Sequence, residues 1–196
     1  MDSWSLGLAS ICFLISACGG FVYLVLVWGL SSEIFKAKFI SEIFKMNYWL
    51  VKSEPYVFSI HDLKRDKTTL WDGVRNYQAR NFLKEMKKGD LVLYYHSNED
   101  PIGVAGLATA HKEAYPDTSQ FDKKSKYFDS KASEENPRWF CPDLKFKKAF
   151  KSILPLATLR ETKGLEDMLL LRKGSRLSVQ PVDKKHFERV VKLAEG

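Results

Sequence analysis

The sequence predicts a mixed α+β domain: a small curved β-sheet or β-barrel with short peripheral helices, preceded by an apolar N-terminal helix. Three observations predict it. From residue 46 onward, short runs of aromatic and β-branched residues alternate with short helix-like segments, without a strand–helix–strand rhythm. Leu6 to Leu30 contains no charged residue. The charge is unevenly placed as well. Residues 1–45 hold three lysines (Lys36, Lys38, Lys45) and three acids (Asp2, Glu33, Glu42), so the formal +7 of this 196-residue chain falls wholly on residues 46–196. With 45% hydrophobic and 28% charged residues, the chain is neither a disordered tail nor a fibrous repeat. It reads as an apolar extension, 1–45, followed by one domain, 46–196, long enough to bury a core.

The uncharged stretch 6–30 is long enough to cross a bilayer core, which needs roughly 20 residues at a helical rise. The lysines that follow it would then hold the rest of the chain on the cytosolic side. A signal peptide wants a positive n-region, and Asp2 stands there instead. Ile15-Ser16-Ala17-Cys18 resembles a lipoprotein box but lacks a polar tether after it. Met46 opens a new composition and could itself be a start. The expected setting is cytoplasmic, membrane-anchored only if 6–30 spans. Of the three cysteines, Cys12 and Cys18 lie in the apolar stretch and Cys141 in the domain, with no zinc or disulfide spacing.

Tyr48-Trp49-Leu50-Val51 reads as a strand ended by Pro55. Ser59 with Asp62 is a capping-box-like start for a short helix through Lys64. Trp71-Asp72-Gly73-Val74 reads as a turn. Ala79, Phe82, Leu83 and Met86 recur at helical spacing, so Tyr77 to Met86 is a helix, stopped by Lys87-Lys88-Gly89. Leu91 to His96 and Ile102 to Ala110 read as strands that pair as an antiparallel hairpin. Gly103 and Gly106 suggest a bulge or the close approach of another group. Residues 111–137 are polar and read as a long excursion. Arg138 to Phe150 reads as one or two strands broken by Pro142. Pro155 to Glu161 and Leu165 to Leu171 read as short helices, and Arg176 to Val179 as a strand stopped by Pro181. Asp183 caps a last helix with Phe187, Val190, Val191 and Ala194 on its inner face.

Polar clusters interrupt this pattern at strand ends and turns, where a barrel mouth would present side chains to a ligand. They are Lys52-Ser53-Glu54-Pro55, Trp71 to Asn81, Tyr94-Tyr95-His96-Ser97-Asn98, Tyr115-Pro116-Asp117 and Arg176-Leu177-Ser178-Val179-Gln180-Pro181. Together with Tyr48 to Val51 and Gly89-Asp90-Leu91-Val92, and in this order, they closely resemble the EVE domain family across essentially all of residues 46–196. The resemblance implies a PUA-like fold, a small β-barrel with peripheral helices. It also implies a pocket for a modified nucleobase, with 5-methylcytosine-type DNA bases as the usual ligand. The first 45 residues have no counterpart in it.

The residue chemistry is compatible. A flipped base needs flat faces and groups for its Watson–Crick edge. Trp49, Trp71, Tyr77, Tyr95 and Tyr115 could supply faces. Ser53, Glu54, Asn76, His96, Ser97, Ser178 and Gln180 could supply edges. Lys52, Arg75, Arg80 and Arg176 could hold phosphates, with Arg75 also placed at the pocket. Plainer roles compete. Trp49 reads as core. One of Tyr94 and Tyr95 should face inward and the other outward. Asn76 could be a helix cap, His96 a turn residue, and Arg75 a structural partner of Asp72 or Glu54. The lysines at 123–126 and 145–151 read as solvated faces.

Enzyme motifs are missing: no zinc-deaminase H-x-E with P-C-x-x-C, no G-x-S-x-G, P-loop or G-x-G-x-x-G. The expected function is therefore a non-catalytic, cofactor-free reader of modified or flipped bases, with modified DNA the expected partner. The alternatives are an RNA-binding PUA-like module, a nucleic-acid-processing enzyme built on Lys52, Glu54, Asp72 and His96, and a small-molecule sensor.

Overall fold

The aromatic and β-branched run at the start of the domain forms β1, Tyr48–Ser53. In the computed structural model, which describes residues 46–196, it lies inside the sheet. The other strands are β2 (Thr68–Leu70), β3 (Leu91–His96), β4 (Gly103–Pro116), β5 (Phe140–Pro155) and β6 (Val179–Pro181). Their spatial order is β2-β5-β4-β3-β1-β6. β1 pairs in parallel with β3, while the other neighbours are antiparallel. The helices are α1 (Ile60–Asp66), α2 (Tyr77–Glu85), α3 (Leu156–Glu161) and α4 (Lys184–Glu195).

The local signals hold. Ser59 and Asp62 form a reciprocal capping box on α1, and Asn76 caps α2 by accepting from the Ala79 N–H at 3.0 Å. β3 and β4 form the expected hairpin. Trp49 is core, its indole N–H donating to the buried Asp90 carboxylate at 2.8 Å. Added side chains at Gly103 or Gly106 would run into backbone oxygens of β5, so the missing side chains let two long strands approach.

Several expectations are corrected. The barrel is an open six-stranded sheet, because the edge strands β2 and β6 are three residues each and do not meet. α2 packs across β4, β5 and β6 instead. Pro142 does not break β5; it sits at a register shift against β4, where its missing N–H takes nothing from the ladder. The segment 165–171 holds only a 3-10 turn, Leu169–Leu171, because Leu165, Met168 and Leu170 are drawn into the core at non-helical spacing. The last strand starts at Val179 rather than Arg176, and Pro181 lies on the sheet's edge strand. Tyr94 and Tyr95 are both buried, because the sheet is covered on both faces. Tyr94 joins Trp49, Val51, Leu63, Trp71 and Leu83 on one face; Tyr95 joins Leu50, Leu93, Leu107, Phe187 and Val190 on the other.

The apolar helix and membrane span expected from residues 6–30 lie outside the described residues. Among those described, no helix is long and apolar enough to cross a membrane.

Candidate nucleic-acid interface

Parallel pairing brings the C-terminal ends of β1 and β3 side by side, with Ser53 in register with His96. Strand alternation then sorts the polar groups. Ser53, Tyr94 and His96 share the first face with Trp71, whereas Lys52 and Tyr95 share the second. Trp71 meets Tyr94 edge-on at 5.5 Å, and Tyr94 meets His96 edge-on at 5.8 Å. The turn from Glu54 to Ser59 closes over this row. The Phe58 carbonyl accepts from Ser53 Oγ–H at 2.7 Å and from Tyr94 O–H at 2.8 Å. Ser97 N–H donates to the Ser53 carbonyl at 2.9 Å. Glu54 accepts from Tyr56 O–H at 2.6 Å and from Asn98 Nδ2, and these bonds hold its carboxyl below the ordinary range.

His96 Nε2 accepts the Ile60 N–H at 3.1 Å, so the ring is neutral with its proton on Nδ1. Burial, then the charge of His61, pushes its pKa below the ordinary 6.5. The unfolded chain therefore takes up the proton first. The stabilisation is complete above about 6.5 and declines as pH falls below it. Urea midpoints measured from about pH 8 to about pH 5 should show the wild-type advantage over His96→Gln shrinking with acid. An advantage that does not change with pH would contradict this role.

The segment after β2 is held by the long excursion between β4 and β5. Gly73 has φ +73°, and a Cβ there would lie 2.5 Å from the Tyr127 ring. The buried Asp117 carboxylate accepts from Gly73 N–H at 3.1 Å, from Arg75 at 2.8 Å, and from Ser119 N–H and Oγ–H at 2.9 and 2.6 Å. Burial alone would raise its pKa; bonds from Ser119, Arg75 and Gly73 outweigh burial and hold it below the ordinary value. Arg75 also donates to the Tyr127 carbonyl at 2.9 and 2.6 Å and to Ser119 Oγ at 3.0 Å. It is a positioning residue, paired with Asp117 rather than with Asp72 or Glu54. Asp72 differs from its acidic neighbours: it makes no hydrogen bond to another described residue. Loss of solvent, then the Asp117 charge, pushes its carboxyl up, while Arg75 and Lys126 oppose this. Lys126 also favours the charged form of Glu54.

A second cluster adjoins Arg75. Tyr77, 49% exposed, stacks on Trp139 at 4.9 Å. The Arg80 guanidinium lies 4.9 Å from the Tyr77 ring and donates to the Arg138 carbonyl at 3.0 Å; Arg138 donates to Tyr77 Oη. Lys126 over Tyr127 and Lys84 over Phe140 extend the series at 4.9 and 4.6 Å. Cations interleaved with aromatic rings suit a nucleic-acid strand, offering charge to phosphates and flat faces to bases.

The structure thus gathers Ser53, Glu54, Trp71, His96 and Ser97 around one turn, with Arg75 and Asn76 following Trp71. Other predicted residues fall elsewhere. Tyr95 and Lys52 pack together on the second face, with Lys52 Nζ 5.9 Å from the ring. Gln180 is in register with Leu50, on that same face, and donates to Ser175 Oγ and the Leu177 carbonyl. Ser178 presents its carbonyl to Lys52 N–H at 2.8 Å, and Arg176 is exposed in the loop before it. Tyr115 donates to Asp143 at 2.5 Å. Sequence reasoning passed over Tyr127, Arg138 and Trp139, read Lys126 as part of a solvated face, and gave Asp72 only a catalytic or Arg75-pairing alternative and Asp117 only a place in the Tyr115-Pro116-Asp117 cluster. Only the adjacent Arg138-Trp139 pair carried a local signal; the rest depend on contacts across the excursion. A hollow of about 490 Å³ lies apart from this region, along α4, lined by Phe187, Glu188, Val191, Lys192, Glu195 and Gly196.

A family model for the EVE domain matches residues 47–193. Human thymocyte nuclear protein 1 is 44% identical over 168 residues, covering 76% of this chain and 74% of that protein. A solved protein from Leishmania major is 45% identical and superposes with a TM-score of 0.74 over 76% of this chain and 95% of its own. The crystal structure of human THYN1 protein in complex with 5-methylcytosine-containing DNA is 43% identical, with a TM-score of 0.71 over 76% and 98% of the two chains.

Proposed function

The chain belongs to the EVE domain family, and from that premise we propose that residues 46–196 are a DNA-binding module that captures a modified or flipped base of the 5-methylcytosine type. The observation that carries this reading is the close similarity, over nearly the whole of its chain, to a human protein crystallised with 5-methylcytosine-containing DNA. The relatives' name describes a nuclear protein, and a DNA partner suits that setting. The function proposed is binding, with no chemical step. The PUA-like relationship belongs to the same reading.

Trp71 and the groups around the 54–59 turn form the base end of the site. Asp72, a carboxyl with no hydrogen bond to another described residue, suits the exocyclic amine of cytosine, which carboxylates accept from. The series Lys126, Arg80, Arg138 and Lys84 suits the flanking backbone, and Arg176 adds charge from the loop before β6. Fluorescence anisotropy with the full chain should show tighter binding to a duplex carrying one 5-methylcytosine than to its unmodified twin. Asp72→Ala should reduce that preference. Arg80→Ala should weaken both duplexes alike and flatten the salt dependence by about 1 in log–log slope. Equal affinity for both duplexes in the wild type would overturn the proposal.

A further inference from the structure

The turn joining β1 to α1 is tied by hydrogen bonds, yet it holds two neighbouring apolar side chains in water. Tyr56 is 70% exposed and Val57 is 56% exposed. The backbone on either side of them is hydrogen-bonded. Val57 N–H and Phe58 N–H both donate to the Glu54 carbonyl, at 2.9 and 3.0 Å. The Phe58 carbonyl takes the hydroxyls of Ser53 and Tyr94, and the Tyr56 hydroxyl is tied to Glu54. Single exposed apolar residues are ordinary, but an adjacent aromatic and β-branched pair on a fixed tip calls for a partner. The tip is also the lip of the base site, since the groups that anchor it, Ser53 and Tyr94, stand in the aromatic row with Trp71 and His96.

We propose that Tyr56 and Val57 form a wedge that enters the base step of duplex DNA vacated when a base leaves the stack. This deepens the base-capturing reading and rests on it. Extruding a base costs unstacking and unpairing energy, and proteins that open a step commonly fill it with an apolar side chain. Val57 is compact enough to enter the gap, while the Tyr56 ring offers a face to the flanking base. Both oxygens of Glu54 are engaged, by Tyr56 and by Asn98, so the carboxylate beside the tip is already bound when the tip meets the neutral bases.

The test compares Tyr56→Ala, Val57→Ser and the double variant with wild type, as full chains. Each is titrated with a duplex bearing one 5-methylcytosine and with the modified single strand alone, which needs no step opened. The double variant should lose at least about tenfold in affinity for the duplex and little for the strand. Tyr56→Phe, which keeps the ring and loses only the bond to Glu54, should bind the duplex more tightly than Tyr56→Ala does. Unchanged duplex affinity in the double variant, or an equal loss on duplex and strand, would overturn the wedge while leaving the base reading intact. A wild type that does not distinguish modified from unmodified DNA would remove both.

Discussion

Asp117→Ala is expected to cost the domain about 3–5 kcal/mol, the range for removing one partner of a buried ion pair. The carboxylate is 1% exposed and takes bonds from Gly73, Arg75 and Ser119, so its loss leaves the Arg75 guanidinium without its counter-charge. The damage should reach beyond stability. Asp117 joins the excursion to the segment that carries Trp71, Asp72 and Asn76, so base binding should weaken even below the melting transition. Denaturant titration measures the first effect and anisotropy the second. Asp117→Asn loses the charge and keeps one acceptor oxygen, enough for Ser119 but not for Gly73 and Arg75, which bond the other carboxylate oxygen, so it should fall between wild type and Asp117→Ala. A depressed carboxyl contributes stability above its unfolded pKa and loses it as pH falls through the folded value. The gap between wild type and Asp117→Asn should therefore close only in strong acid.

The second large effect is expected at Gly103. It pairs with His96 on β3 and with Pro155 on β5, between strands too close to admit a side chain. An alanine Cβ would overlap the Leu154 carbonyl and lie 2.8 Å from Ile153 Cγ2. Because backbone stands in the way, no rotamer change relieves the overlap. Gly103→Ala should cost about 3 kcal/mol, the upper end of ordinary overpacking, and Gly103→Val more. Thermal melts of the two variants check this, and an unchanged midpoint for Gly103→Ala would contradict it.

Residues whose signal is local were legible in the sequence. Ser59 with Asp62, Asn76 before a helical period, and the glycines of β4 each state their conformation within a few neighbours. What stayed hidden depends on distant chain. Nothing near Tyr48 announces a parallel partner 43 residues on, and nothing near Arg75 announces Asp117. The sheet's two covered faces followed from helices whose docking no periodicity reveals, so Tyr95 read as a surface candidate and is core. Pro142 misled for the same reason: a proline ends a strand unless a register shift excuses its missing N–H. The candidate site was therefore legible as a set of residue types, while its division between two faces was not.

The position of β1 has a consequence for how the chain is made. It lies between β3 and β6, so one flank is covered when residue 96 is synthesised and the other only after residue 181. A nascent chain halted anywhere between those points carries a paired but open strand edge. Emergence of β6, rather than of any earlier segment, becomes the step that covers this edge.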